Sequence, residues 1–157
     1  MTSISQTIDM PLSADAAQEA ILKTFEAARG DDGTTTMPLR VSLRDFGLPD
    51  HLAVERDVTI QAVKRRDAEN INDEIAISWR PTDGGPFPVF TGRLVVWSED
   101  RPDACFVELQ GSYEPPLGTM GEVFDAAIGR QIAERTAHTF LTLLKKLCLQ
   151  NKTAAAR

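Results

Sequence analysis

Arg56 has the most chemical potential of any residue in the chain. It shares strand parity with Val54, Val58, Ile60 and Ala62, while Glu55, Asp57, Thr59 and Gln61 take the other parity. A regular strand would aim Arg56 at the same face as that apolar row. A guanidinium there must be paired, must hold an anionic ligand, or must snorkel to water at the strand mouth. Trp79 and Tyr113 each end a strand on its apolar parity. Both present a hydrophobic body with one polar handle, which suits the single oxygen of an apolar ligand and equally suits core packing. Gln131 and Arg135 fall beside the apolar stripe of a C-terminal helix. His51 lies in a loop near Pro49 and His138 mid-helix on the expected outer side. Histidine titrates near neutrality, but no acidic or nucleophilic partner is set by spacing, so both read as exposed.

Motifs of fixed spacing are missing. The chain contains no Gly-x-Ser-x-Gly, Gly-x-x-x-x-Gly-Lys, His-Glu-x-x-His or dinucleotide-binding Gly-x-Gly-x-x-Gly. Cys105 and Cys148 belong to no Cys-x-x-Cys pair, and a zinc site needs four ligands, usually with local pairs among them. No metal and no cofactor is expected, and the two cysteines read as reduced, partly buried thiols of a cytoplasmic protein.

Composition narrows the class. The chain has 157 residues, 42% hydrophobic and 25% charged, which suits one globular domain and excludes disorder. Its net charge of −6 argues against nucleic acid, where affinity rests on neutralising phosphates. The sequence has no stretch of about 18 apolar residues and no basic-then-apolar start, so neither membrane insertion nor secretion is expected. Lys64-Arg65-Arg66-Asp67 is the basic cluster away from the C-terminus, and it reads as a solvated hairpin turn.

Periodicity supplies the elements that must position these residues. Ile4, Ile8 and Met10 alternate with polar neighbours, a half-buried strand that Pro11 stops. Ser13 reads as an N-cap with Asp15 in the first turn, and a helix is expected over 14–28. Residues 31–36 are polar and read as a loop. Strands then follow on Val41 and Leu43, on Val54–Ala62, on Ile75–Trp79, on Phe87–Trp97 and on Cys105–Tyr113. Short turns between them predict antiparallel hairpins. The segment 87–97 is apolar throughout, which predicts a central strand buried on both faces or leaves its register open. Pro115-Pro116 ends the last strand, and Thr119-x-x-Glu122 fits a capping box. A helix of roughly 40 Å should then run from Glu122 to about Leu149. Phe124, Ala127, Ile128 and Gln131 begin its stripe, which drifts into Ile132, Thr139, Phe140, Leu143 and Leu147 and is widened by Leu141, Leu144 and Cys148. The expected organisation is a single domain over 1–150 with a tail over 151–157.

This order carries a resemblance. Leu109-x-Gly111-x-Tyr113-Glu114-Pro115-Pro116-Leu117-Gly118-x-x-Gly121, followed by Phe124-Asp125-x-x-Ile128-Gly129-Arg130, resembles the START-like (SRPBCC) superfamily. In its bacterial members a final strand ending in Tyr-x-Pro-Pro-x-Gly leads into the long helix in this way. The motif covers about residues 109–130, while the element order matches over nearly the whole chain. The resemblance implies an α+β helix-grip fold, a curved antiparallel sheet wrapped around the C-terminal helix. It also implies a cavity between them that commonly takes lipids, sterols or polyketides.

The expected function is binding of a small hydrophobic or amphipathic ligand in that cavity. Its lining is expected from Ile60, Ile77, Trp79, Leu94, Leu109, Tyr113, Phe124, Ile128 and Gln131, with Arg56 as the polar anchor. The alternatives are a cyclase- or dehydratase-type enzyme on a polyketide-like substrate, which needs an acid or base in the pocket, and a module binding a protein partner through an exposed edge or patch. Ligand identity and oligomeric state are not set by the sequence.

Overall fold

The computed structural model describes residues 2–41, 54–65, 74–82, 89–114 and 126–155. Strand β1 (Thr2–Met10) leads into helix α1 (Ala14–Ala27). Strands β2 (Thr35–Val41), β3 (Val54–Arg65), β4 (Glu74–Pro81), β5 (Val89–Trp97) and β6 (Cys105–Glu114) precede helix α2 (Ala126–Ala155). The six strands form one sheet in the order β1-β6-β5-β4-β3-β2, antiparallel at every step. Helix α2 packs against both edge strands, β1 and β2. Strands five places apart can touch one helix only if the sheet curls around it, so α2 lies in the concave face. This is the expected α+β helix-grip architecture.

Local chemistry explains the elements. Ser13 caps α1 by accepting the Ala16 N–H at 3.2 Å, and Asp15 sits in the first turn where the helix dipole favours it. Burial of Ala17, Ile21, Thr24 and Phe25 turns one face of α1 inward. Along β4, Ile75, Ile77 and Trp79 are buried, and along β6 Cys105, Val107, Leu109 and Tyr113, as period-two alternation demands.

Three expectations change. Strand β2 starts at Thr35, inside the segment read as a loop, and buries Met37 and Leu39. Threonine is polar yet β-branched, and here strand propensity prevails. Pro38 fits because β2 is an edge strand. Strand β5 is central, but only Phe90, Leu94 and Val96 are fully buried, while Thr91 and Arg93 are exposed. Its surplus apolar character goes to the outer face, where Trp97 stacks on Phe106 at 4.6 Å. In α2 the buried stripe is Ala133, Thr136, Ala137, Phe140, Leu141, Leu144 and Cys148, and Gln131 is exposed. The stripe keeps the expected Phe140, Leu141, Leu144 and Cys148 and adds Ala133, Thr136 and Ala137, because small alanines weigh little in a hydrophobicity reading. Helix α2 also continues to Ala155, beyond Leu149. The expected capping box, His51 and Leu43 lie outside the described residues.

Candidate functional site

Strand β3 outruns β2. The Asp57 carbonyl accepts the Thr82 N–H at 2.9 Å, so odd-numbered β3 residues direct their main-chain groups at β4 and even-numbered ones at β2. Pairing with β2 stops at Thr35↔Ile60. The N–H and C=O of Ala62 therefore point to a place where no strand lies among the described residues.

The last turns of α1 overhang this gap. Thr35 donates through Oγ1 to the Phe25 carbonyl at 3.0 Å, tying the start of β2 to the end of α1. Between them the chain makes a closed turn, with Gly30 N–H to Thr34 carbonyl at 2.8 Å and Arg29 Nε–H to Gly33 carbonyl at 2.9 Å. Asp32 accepts from the Thr34 N–H and hydroxyl at 3.0 and 2.8 Å, and these bonds hold its carboxyl below the usual carboxylate range. The result is a cleft of about 500 Å³. Leu22, Phe25, Ile60 and Ala62 give it an apolar floor, and Glu26, Arg29, Thr34, Thr35 and Gln61 a polar rim.

Behind the cleft the concave face is aromatic. Phe25 stacks with Phe140 at 6.4 Å, Phe140 lies 4.9 Å from Trp79, and Trp79 stacks on Phe90 at 4.5 Å. Register explains the cluster: Ile60 pairs with Trp79, Trp79 with Phe90, and Phe90 with Tyr113, all on one row of the inner face. Burial pushes the Tyr113 phenol well above the usual tyrosine range. Among the described residues, Trp79 Nε1 is buried without a hydrogen-bond partner.

The expected site residues divide as follows. Ile60 lies in the cleft wall, and Ile77, Trp79, Leu94, Leu109 and Tyr113 are buried on the concave face. Gln131 is exposed on α2, as are Arg135 and His138. Arg56 pairs with Leu39 in the backbone register. The side chains of Arg56 and Ile128, and all of Phe124, lie outside the described residues. The α1 wall and the Arg29–Thr35 turn were not anticipated. Their signal was faint: a last large apolar residue, Phe25, at the end of α1, and a polar turn too short to hide it. Among the described residues no group of three or more His, Cys, Asp or Glu could hold a metal ion, and no helix is long and apolar enough to cross a membrane. Cys105 and Cys148 are free and buried, and desolvation raises both thiols.

No family model and no curated protein sequence matches the chain. Solved structures do match it. A START superfamily protein from Mycobacterium smegmatis aligns over 94% of this chain and 97% of its own, at 18% identity and a TM-score of 0.55. A conserved protein from Geobacillus kaustophilus aligns over 95% and 96%, at 9% identity and 0.56. The Zhui aromatase/cyclase from a Streptomyces species aligns over 99% and 96%, at 11% identity and 0.50. With the strand order and the gripped helix already in view, these alignments show that the chain has the START-like, helix-grip fold.

Proposed function

We propose that the protein binds a small amphipathic molecule whose apolar body sits in the cleft between α1 and the unpaired end of β3. The observation that carries this reading is the cleft itself. Its volume of about 500 Å³ exceeds the roughly 300 Å³ at which typical ligand sites begin, and an apolar floor with a polar rim suits an amphipathic guest. Arg29 on the rim supplies a cation, and the Ala62 main chain supplies one donor and one acceptor.

A cyclase-type enzyme would need an acid or base in contact with the bound molecule. Among the described residues the ionisable groups of the cleft are Glu26 and Arg29, both exposed, while Tyr113 is buried and held protonated. Binding therefore accounts for this site better than catalysis. Docking of a partner protein is also less well supported, because Val63 is the only exposed large hydrophobic among the described residues.

Native mass spectrometry of freshly purified protein should show a co-purified lipophile. Titration with 1-anilinonaphthalene-8-sulfonate should show saturable binding that Ala62→Phe weakens about tenfold, since the new ring fills the floor of the cleft. A wild-type protein that carries no lipophile and does not bind the dye defeats the reading. So does an Ala62→Phe variant that binds as well as wild type.

A further inference from the structure

The turn that ends the pairing of β2 with β3 also engages the residue that could have continued it. Carried two residues further, the β2–β3 register would set Gly33 opposite Ala62. Gly33 instead sits in the closed turn with a φ of 82°, donates its N–H to the Gly30 carbonyl at 3.0 Å and accepts the Arg29 Nε–H through its own carbonyl. Ala62 therefore has β4 on one side and no strand on the other among the described residues. Consecutive residues from Thr59 to Val63, of both parities, line the cleft, so it borders the edge of β3 rather than one of its faces. Such an edge specifies its partner. The outward N–H and C=O of one strand residue are satisfied together by the C=O and N–H of a single antiparallel residue. Cross-strand partners put their side chains on the same face. Ala62 packs against the core, so the partner's side chain falls on the apolar floor near Leu22 and Phe25. A partner antiparallel to β3 runs towards Thr35, and its carboxyl end arrives beside Thr34 and Arg29. Arg29 uses Nε on Gly33, which leaves its Nη groups for an anion, and Glu26 on the same rim confines that anion to the Arg29 end.

We propose that the cleft takes an N-acylated apolar L-amino acid with a free carboxylate, held opposite Ala62 as a strand one residue long. Its amide N–H donates to the Ala62 carbonyl, one carboxylate oxygen accepts the Ala62 N–H, and the other faces the Arg29 guanidinium. The inference rests on the binding function proposed above and gives it a ligand class. A free acylated amino acid and the C-terminal residue of a peptide carry this same chemistry. A hydrocarbon or a simple fatty acid fills the floor and leaves the Ala62 carbonyl without its donor.

The probes are N-hexanoyl-L-leucine, its D enantiomer, and the ester isostere of the L form in which an oxygen replaces the amide N–H. Their affinities for the wild-type protein are read by displacement of the anilinonaphthalene dye. The amide should bind about fivefold more tightly than the ester, the gain of one hydrogen bond. The L form should bind about tenfold more tightly than the D form, whose side chain is turned away from the apolar floor. In a ¹⁵N-labelled sample the Ala62 N–H signal should move downfield with the L amide and its exchange with solvent should slow about tenfold. Acetyl-Ala-Ala-Leu separates the two sources: tighter binding than hexanoyl-leucine supports a peptide end, and weaker binding a free acylated amino acid. Equal affinity within either pair, or an Ala62 signal that does not move, would overturn the proposal. If the dye still binds saturably in that case, the binding function stands and the ligand class alone falls. Acids that fail to displace a bound dye have the same meaning, whereas a protein that binds neither dye nor acid loses both.

Discussion

The two faces of this sheet are built from alternate residues of the same strands, and they differ in how completely they are finished. On the outer face Arg93 donates to Gln110 at 3.0–3.1 Å and pairs with Glu74 at 3.0 Å. Gln110 and Ser5 both donate to Glu108 at 2.7 Å. One polar chain thus crosses β4, β5, β6 and β1, and each named group has a partner. On the inner face the sheet places Trp79, Phe90 and Tyr113 on one row and two glycines on the next, and leaves the Trp79 N–H unbonded. Even the two tryptophans follow this division: Trp97 is half-buried on the outer face, and Trp79 is buried inside with no hydrogen-bond partner for Nε1 among the described residues. The outer face behaves as a finished structure. Open polar valence is found inside, which is where a fold shaped like a grip would place a guest.

The sharpest way to break this contrast is to put a side chain on the inner glycine floor. A Cβ at Gly92 would overlap the Gln110 carbonyl oxygen and stand 2.7 Å from the Gly111 Cα, both backbone atoms of the neighbouring strand. Backbone cannot swing aside as a side chain can, so Gly92→Ala should destabilise the protein by about 4 kcal/mol or more, seen as a collapse of the urea midpoint. A variant as stable as wild type would mean that the floor is not tight. Next in size is the comparison of the tryptophans. Trp79→Ala removes a fully buried ring packed against two others and should lose about 3–4 kcal/mol, whereas Trp97→Ala removes a half-buried ring and should lose about 1–2 kcal/mol. Equal losses in urea unfolding would erase the distinction between the faces.

What the sequence made legible follows the same line. Alternation made the inner faces of β3, β4 and β6 legible, because apolar residues recur there at every second position. Parity assigned Ile60, Ile77, Trp79, Leu109 and Tyr113 to that face, and all are buried there, as is Leu94, whose strand left its register open. The cleft was not legible. It arises because β2 ends its pairing at Ile60 while β3 continues to Arg65, a mismatch of strand lengths that neither strand's own pattern encodes. The glycine floor was also hidden. Gly92 and Gly111 become a close backbone approach only through their register, which is a property of two strands and not of either one. The α2 stripe was incomplete for a simpler reason: Ala133 and Ala137 are buried yet carry little hydrophobic signal.

The smallest predicted effect separates the faces by pH. Hydrogen bonds from Gln110, then Ser5, with lesser help from Trp97 and Arg93, hold the Glu108 carboxyl below its ordinary value of 4.5. A carboxylate depressed on folding adds stability that is present in full above the unfolded value and lost as pH falls through the folded one. The outer face should therefore weaken at the acid end. Glu108→Gln should lower stability by less than about 1 kcal/mol at pH 6, and this difference from wild type should shrink towards zero near pH 3. Tyr113 has the opposite sign. Burial raises its phenol above the ordinary 10.0, so the unfolded chain ionises first, and stability present below pH 10 is lost as pH rises beyond it. Tyr113→Phe should flatten that alkaline decline and leave the acid limb untouched. Urea midpoints at pH 3, 6 and 10.5 for the two variants would test the pair. An acid limb that responds to Tyr113→Phe, or an alkaline limb that responds to Glu108→Gln, would show the two faces to be coupled. Independent limbs would mean that the inner aromatic row and the outer polar chain contribute separately to stability.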